Sequence, residues 1–289
     1  IRHYHAHQGE GSIVNNQVLS FGADKLGNLW IGTDGGGLFR LRSDMNGFDR
    51  PEIKLLEKAD VVKCIYRDPQ GNFWLGTWDA GMIRYDPVRH VSEQFHPDNN
   101  NFQSRHIWDI EPDSAGNLWL GTLRDGLIYF NTQTKKSNYF KSDPADSTSL
   151  VNNDILCLHL DSRNILWIGT SDGLSILHPG SKKFANLRKS ALNATVLTIY
   201  EDEEQQMWLG TNGAGIVIMN QDLQVQNTIT EGDGLPGSTI CSIQPDDRGN
   251  IWASTYNGLV RIDHNDLAVT IVPEIAGLQG KEFIPRSAY

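Results

Sequence analysis

Two groups of residues have the types and spacing that could bind a metal ion. His3, His5 and His7 alternate along the chain, so in a β-strand their imidazoles would share one face, as transition-metal ligands can. The acidic run 201–204 (Glu-Asp-Glu-Glu) could hold calcium, but no Gly-containing loop with ligand spacing surrounds it. We favour a solvated edge strand for the histidines and a solvated turn for the acidic run, and we predict no metal site and no cofactor.

The sequence carries none of the common catalytic motifs. It lacks His-Glu-x-x-His, Cys-x-x-Cys, Gly-x-Ser-x-Gly, a Walker loop and a dinucleotide-binding fingerprint. Cys64, Cys157 and Cys241 are odd in number, match no metal spacing and lie in apolar segments, which is typical of small buried side chains. We therefore predict no catalytic residues and a role other than catalysis.

Charge and hydropathy argue against two classes of partner. The 289 residues carry a net charge of −10, and the basic residues are scattered along the chain without forming a stripe, so nucleic-acid binding is not expected. No stretch approaches about 18 consecutive apolar residues, the length that marks a candidate membrane helix. We expect no membrane segment in this chain.

The elements that must position any site are set by an internal repeat centred on tryptophan. The stretch 27–33 (Gly-Asn-Leu-Trp-Ile-Gly-Thr) returns at 71–77 and 116–122, and in looser form at 164–170, 205–211 and 249–255. Consecutive repeat tryptophans are separated by 44, 45, 48, 41 and 44 residues, and an aspartate stands six residues before each of them. The six tryptophans are Trp30, Trp74, Trp119, Trp167, Trp208 and Trp252.

Each copy is predicted to form four short antiparallel strands. The apolar segments are rich in β-branched and aromatic residues and are bounded by Gly, Asn, Asp and Pro. Four strands within a period near 44 residues are typical of a propeller blade, in which the tryptophan would wedge between neighbouring sheets. The Asp-x-x-Gly-Asn turn needs a positive φ at its glycine. Gln205 takes this place in the fifth copy, which predicts a longer or strained turn there.

The predicted fold is therefore an all-β propeller of four-stranded antiparallel blades, forming a single domain over residues 1–289. The full repeats are expected at approximately 17–57, 61–97, 106–142, 154–188, 195–230 and 239–272. Residues 1–7 and 281–289 look like parts of a further blade, which favours a seven-bladed ring with an incomplete last blade. A closed six-bladed ring is the alternative. In both cases the chain is expected to be a fragment of a larger receptor.

At this point the residues resemble a known family. The pattern Asp-x-x-Gly-Asn-Leu-Trp-Ile-Gly-Thr-x-x-Gly-Gly-Leu is similar to the two-component regulator propeller repeat, most closely over 149–170 and again at 277–283. The resemblance implies a periplasmic sensor domain of a bacterial inner-membrane receptor. In such receptors a β-sandwich, a transmembrane helix and a cytoplasmic histidine kinase, often hybrid, or diguanylate cyclase follow the propellers, and several members answer to oligosaccharides. The implied protein partners are adjacent propeller and β-sandwich domains and a homodimer partner.

Candidate ligand-binding residues lie where the chain departs from its repeat at one rim. In a propeller, the turn after each Gly-Thr and the loop before each first strand share one end. Aromatic faces, arginine forks and carboxylates there suit an oligosaccharide or another small polar ligand, although the same rim could dock a neighbouring propeller or a second subunit. The candidates are Trp78, Asp79, Arg105, His106, Trp108, Arg124, Asp125, Tyr256 and Asn257.

Three functions follow from this sequence. The leading prediction is a non-catalytic ligand-sensing or interaction propeller of a two-component receptor. The first alternative is a propeller enzyme, such as a lyase or a quinoprotein-like oxidoreductase, because one fold hosts unrelated activities. The second alternative is a structural spacer or a dimerisation module.

Overall fold

The computed structural model describes residues 11–44, 47–56, 61–100, 102–188, 192, 194–273 and 282–283. The chain divides into two compact units, which we call the N-terminal unit (residues 2–139) and the C-terminal unit (residues 140–288). Six four-stranded antiparallel sheets account for the strands, and in every sheet the strands lie side by side in chain order. These sheets are the blades of an all-β propeller, as the repeat predicts, and we number them 1 to 6.

The N-terminal unit contains blades 1 to 3. A 3-10 turn at Lys54–Leu56 follows blade 1, and a short helix, α1 (Pro97–Asn100), follows blade 2. Blade 1 consists of β1 (Val18–Ala23), β2 (Leu29–Thr33), β3 (Gly37–Leu41) and β4 (Phe48–Asp49); blade 2 of β5 (Val62–Arg67), β6 (Phe73–Thr77), β7 (Met82–Asp86) and β8 (Val91–Phe95); and blade 3 of β9 (Ile107–Pro112), β10 (Leu118–Thr122), β11 (Leu127–Phe130) and β12 (Ser137–Phe140).

The C-terminal unit contains blades 4 to 6 and a 3-10 turn at Glu231–Asp233. Blade 4 consists of β13 (Ile155–Leu160), β14 (Leu166–Thr170), β15 (Gly173–Leu177) and β16 (Phe184–Arg188); blade 5 of β17 (Thr195–Glu201), β18 (Met207–Asn212), β19 (Ile216–Met219) and β20 (Val225–Ile229); and blade 6 of β21 (Ile240–Pro245), β22 (Ile251–Thr255), β23 (Gly258–Ile262) and β24 (Val269–Ile271).

Burial differs between the strands of a blade. Every residue of β6, β14 and β15 is buried, whereas most residues of the fourth strands β8 and β20 are exposed. A strand buried on both faces needs a sheet on either side, so the second and third strands are continuous apolar runs and the fourth strands are polar.

The predicted further blade falls mainly outside the described residues. Of residues 1–7 and 281–289, only Glu282 and Phe283 are described. The number of blades in the ring and the histidine cluster at His3, His5 and His7 therefore remain predictions from the sequence.

The repeat aspartate holds the repeat tryptophan by a hydrogen bond. The indole Nε1–H donates to the carboxylate Oδ2 in five blades, at 2.7 Å for Trp208 and Asp202 and at 3.0 Å for the other four pairs. The other carboxylate oxygen accepts backbone N–H bonds of the turn, as from Asn72 to Asp68 at 2.8 Å. In blade 3 the carboxylate of Asp113 accepts the hydroxyl of Tyr129 at 2.7 Å. Each aspartate therefore joins a tight turn to a core side chain.

The repeat tryptophans pack against the next blade of the same unit. The ring of Trp30 lies 4.4 Å from that of Phe73 in blade 2, and Trp74 lies 5.9 Å from Phe130 in blade 3. Trp30, Trp74, Trp167 and Trp208 are at most 2% exposed, which confirms their role as packing wedges. Trp119 and Trp252 are half-buried, and each belongs to the last described blade of its unit.

The glycine two residues after the repeat tryptophan allows the next blade to approach. A Cβ at Gly76 would overlap Cys64 Sγ and would lie 3.0 Å from the carbonyl oxygen of Ile107 in the next blade. In blade 6 Ser254 takes this position and its Oγ lies 2.6 Å from Ser242 Oγ. The second strand therefore needs a glycine here, because the first strand of its own blade and the first strand of the next blade both approach its backbone.

The turn at Gln205 keeps the length of the other copies. Its N–H donates to the carbonyl oxygen of Asp202 at 3.0 Å, as that of Gly27 does to Asp24 at 3.1 Å, and its φ is 61°. Of the two predictions for this turn, the longer loop is wrong and the strained backbone is observed, because a residue with a side chain occupies a left-handed conformation.

Candidate functional site

Every blade carries a β-bulge at the second or third residue of its first strand. The pairing of first and second strands shifts by one residue there in all six sheets. A bulge leaves one residue outside the ladder and re-aims its side chain. The bulge residues are Leu19, Lys63, Trp108, Leu156, Leu197 and Cys241.

The turn after the second strand is bonded to the segment before the first strand. Trp78 N–H donates to the carbonyl oxygen of Val61 at 3.2 Å, and Leu123 N–H donates to that of His106 at 3.3 Å. In the C-terminal unit Ser171 N–H donates in the same way to Asp154 at 3.1 Å. The two segments therefore share one end of each blade, as the topology predicts.

In the N-terminal unit this end carries four side chains in contact, which we call the rim cluster: Lys63, Trp78, His106 and Trp108. The ring of Trp78 lies 5.0 Å from that of His106 and 5.9 Å from that of Trp108, the latter edge-on at 64°. His106 Nδ1–H donates to the carbonyl oxygen of Trp78. Trp78 is 43% exposed, so the cluster presents an indole to solvent.

Lys63 places an ammonium between the two indoles. Its Nζ lies 4.3 Å from the ring centre of Trp108 and 5.9 Å from that of Trp78, within the range of cation–π attraction. Among the described residues no carboxylate forms a salt bridge with it. Burial lowers the pKa of Lys63, and the nearby charge of Asp34 only partly offsets that effect. The cluster therefore joins a partly desolvated cation to aromatic faces.

The other predicted residues of this unit are Arg105, Asp79, Arg124 and Asp125. The guanidinium of Arg105 bonds to His96 Nε2 at 2.9 Å and to Asp98 Oδ1 at 2.8 Å, so it points to the segment of α1. Asp79 is exposed in the turn after β6. Arg124 is exposed, with a φ of 75°, in the turn after β10, where Asp125 is half-buried.

Two predicted residues lie in the other unit. Tyr256 is 48% exposed in the turn after β22, and the neighbouring Asn257 donates through Nδ2 to the carbonyl oxygen of Pro236 at 3.1 Å. The structure thus shows ring contacts of Trp78 with His106 and with Trp108, and it assigns Tyr256 and Asn257 to the other unit.

Lys63 was missed by sequence reasoning, although the repeat contains a signal for it. Leu19, Leu156 and Leu197 hold the equivalent bulge position in three other blades. A lysine at a position where the copies carry leucine is a departure from the packing pattern, as Trp108 is. Comparing the first strands position by position would have found both residues together.

The acidic run has a structural use that the sequence did not show. Asp202 is 6% exposed and accepts the indole N–H of Trp208, and Glu201 accepts from Ser162 N and Oγ at 2.7 and 2.8 Å. The prediction of a solvated turn is right for the exposed Glu203 and Glu204 and wrong for Asp202. Within the described ranges, no group of three or more His, Cys, Asp or Glu side chains could hold a metal ion.

Three solved structures resemble this chain and show its fold class. The extracellular domain from B. thetaiotaomicron that is assigned to a hybrid two component system superposes with a TM-score of 0.66 at 24% identity, over 96% of this chain and 37% of that one. PorZ of the Porphyromonas gingivalis type-IX secretion system gives 0.69 at 19% identity, over 88% and 39%. Virginiamycin B lyase from Staphylococcus aureus gives 0.68 at 13% identity, over 89% and 84%. These likenesses show a β-propeller.

The family follows from the repeats. The model of the family described as "Two component regulator propeller" matches residues 12–35, 57–79, 101–124, 149–172, 190–213 and 234–257. The six repeats of this chain belong to that family.

One relative is much longer than this chain. Histidine kinase P4 of Formosa agariphila is 26% identical over an alignment 286 residues long, and the match covers 94% of this chain and 21% of the relative. The chain therefore spans about a fifth of that protein's length. Among the described residues, no helix has the length and apolar character needed to cross a membrane.

Proposed function

We propose that this propeller is the non-catalytic, extracytoplasmic sensor part of a bacterial two-component receptor, and that it binds an oligosaccharide or another small polar ligand at the rim cluster. The family of the repeats and the histidine kinase relative support the receptor. The likeness to an extracellular domain supports the periplasmic location. Adjacent propeller and β-sandwich domains and a homodimer partner belong to the same proposal.

The observation that carries the ligand site is the presence of Lys63 and Trp108 at two neighbouring bulges, where the other blades carry leucine or cysteine. Bulges re-aim side chains, and both of these meet the exposed Trp78 of the adjoining turn. The geometry of the blades does not require any of the three, since the other copies fold with leucine or cysteine at the bulge and with aspartate, leucine, serine, asparagine or tyrosine after the repeat threonine. Their convergence is therefore best explained by contact with another molecule.

The chemistry of the cluster favours a polar ligand with an apolar face. An indole covers the C–H face of a sugar ring, while the ammonium of Lys63 donates hydrogen bonds to oxygen atoms. A ligand oxygen would also relieve the partial desolvation that lowers the pKa of Lys63. Tyr256 and Asn257 lie in the C-terminal unit and are not part of this proposed contact.

A thermal-shift screen of the chain against an oligosaccharide library tests the proposal. A ligand that binds only the folded state at 100 times its Kd stabilises by about 2.7 kcal/mol, which raises the Tm of a domain of this size by several degrees. We expect at least one oligosaccharide to do so in the wild type and to lose the effect in Trp108→Ala. If no oligosaccharide raises the Tm and the chain instead forms a dimer through the rim cluster, the spacer or dimerisation function is favoured.

A further inference from the structure

Lys63 differs from the other cations of the N-terminal unit that lie over a tryptophan ring. Three such cations are described besides Lys63, and each has a carboxylate partner. The pairs are Arg40 with Asp49 at 2.7 Å, Lys135 with Glu93 at 3.1 Å and Arg84 with Glu93 at 4.0 Å. Among the described residues, the rim cluster thus combines a cation and indoles without the carboxylate that accompanies this pair elsewhere in the unit.

The surroundings of Lys63 do not fully replace the water that its ammonium has lost. The side chain is half-buried. Burial lowers the pKa of Lys63, and the charge of Asp34 offsets this effect only in part. Taking a cation out of water costs free energy unless an opposite charge or hydrogen bonds replace the water. An anionic group of a ligand would supply both, because it attracts the ammonium through its charge and accepts its hydrogen bonds.

The packing of the blade does not account for a lysine at this bulge. Leu19, Leu156 and Leu197 hold the equivalent position in three other blades, so an uncharged side chain of similar length satisfies the fold there. A lysine keeps an apolar stem and adds an ammonium at its end. The charge of Lys63 is therefore the feature that contact with another molecule explains.

The two units carry unequal charge, in the sense that favours an anion at the rim cluster. Residues 2–139 contain 15 Lys or Arg and 17 Asp or Glu, whereas residues 140–288 contain 10 and 18. The negative charge of the chain is thus concentrated in the C-terminal unit. Because the summed charge of a surface repels ligands of the same sign, the N-terminal unit is the more favourable of the two for an anionic ligand.

We propose that the ligand of the rim cluster is an acidic oligosaccharide, whose carboxylate or sulfate group pairs with the ammonium of Lys63 while a sugar face covers Trp78. Because the site is the rim cluster, this ligand class rests on the function proposed above. The Nζ of Lys63 lies 5.9 Å from the ring centre of Trp78 and 4.3 Å from that of Trp108, so one acidic sugar residue can contact the cation and an indole together. Lys63 then selects the charge of the ligand, and the indoles select its apolar face.

Isothermal titration calorimetry of the full chain with matched pairs of oligosaccharides tests this charge requirement. The probes are tetramers of galacturonate and of mannuronate with their neutral methyl esters, and a sulfated galactose tetramer with its unsulfated form. We expect at least one acidic tetramer to bind about tenfold or more tightly than its neutral counterpart. This advantage should shrink at about 1 M salt, which screens charges. Whether a uronate or the sulfated tetramer shows the advantage identifies the anionic group.

Two lysine variants give the matched control. Lys63→Leu introduces the residue of three other bulges and should bind the acidic tetramer and its neutral counterpart equally well. Lys25→Leu removes an exposed lysine of the same unit and should keep the acidic advantage. Equal binding of acidic and neutral tetramers by the wild type, or an acidic advantage that survives in Lys63→Leu, would overturn this ligand class.

The result also separates this ligand class from the function on which it rests. If no acidic tetramer binds, while a neutral oligosaccharide of the library raises the Tm of the wild type and not that of Trp108→Ala, the acidic ligand is wrong and the proposed function stands. If no oligosaccharide of either kind binds, both are wrong.

Discussion

The N-terminal and C-terminal units are built from the same blade and differ at the rim. The bulge residues of the C-terminal unit are Leu156, Leu197 and Cys241, all apolar, while the N-terminal unit has Lys63 and Trp108 in two of its three bulges. The repeat constrains the turn, the tryptophan and the glycine in both units. The bulge and the residue after the repeat threonine are left to vary.

The rim of the C-terminal unit bonds to itself. Thr239 Oγ1 donates to Asn212 Oδ1 at 2.9 Å, and Thr195 Oγ1 donates to the carbonyl oxygen of Ser171 at 3.1 Å. These two threonine hydroxyls therefore donate to acceptors within the unit, one to a side chain and one to the backbone. In the N-terminal unit the same end presents an exposed indole and a partly desolvated ammonium. One scaffold therefore supports a rim with internal polar hydrogen bonds and a rim that carries a cluster of a cation and aromatic side chains.

The first prediction tests whether the two units have equal cores. Trp74→Ala in the N-terminal unit and Trp208→Ala in the C-terminal unit should each lower the free energy of unfolding by about 3–5 kcal/mol, because both remove a buried indole. Trp119→Ala should cost less, since that side chain is half-buried. Urea unfolding measures the free energy of unfolding of all three variants. A large loss in one unit with a small loss in the other would show that the two units do not have equivalent cores.

The second prediction concerns the repeat aspartate. Burial alone would raise the pKa of Asp161, but hydrogen bonds from the Trp167 indole and from backbone N–H groups outweigh it and lower the pKa below its ordinary value. The carboxylate of Asp24 behaves in the same way. Because the folded pKa lies below the unfolded one, the carboxylate stabilises the fold above about pH 4 and loses this effect as the pH falls toward the folded pKa.

Asp161→Asn should therefore cost about 1–3 kcal/mol at pH 7 and flatten the acid side of the stability profile. Urea midpoints at pH 7, 4 and 3 measure this, with Asp24→Asn as the matched variant in the other unit. If the urea midpoints of the wild type and of Asp161→Asn fall by the same amount below pH 4, the Asp161 carboxylate is not the group whose titration lowers the stability.

Most of the blade architecture could be predicted because the same residue types recur at the same structural positions. Trp167 and Asp161 are recognisable from their six-residue spacing alone. Lys63 was not, since a single lysine in an apolar strand looks like a residue on a solvated face. Its contact with Trp108 depends on two bulges in different blades, and a local pattern does not report a contact between elements so far apart in sequence.

The third and smallest prediction concerns the self-bonded rim. Thr239→Val removes the hydroxyl that donates to Asn212 and should lower the free energy of unfolding by about 0.5 kcal/mol, because a hydrogen bond in contact with solvent contributes little. Differential scanning calorimetry measures the change. A loss comparable with that of Trp208→Ala would mean that the C-terminal rim is part of the core.

The central claim is that the rim of the N-terminal unit, and not that of the C-terminal unit, binds the ligand. Trp78 and Tyr256 follow the repeat threonine in their blades and are exposed to a similar degree, 43% and 48%, so they form a matched pair. The decisive measurement is the rise in Tm caused by the oligosaccharide that stabilises the wild type most, repeated in Trp78→Ala and Tyr256→Ala. We predict that the rise disappears in Trp78→Ala and persists in Tyr256→Ala; a rise that persists in Trp78→Ala would contradict the account.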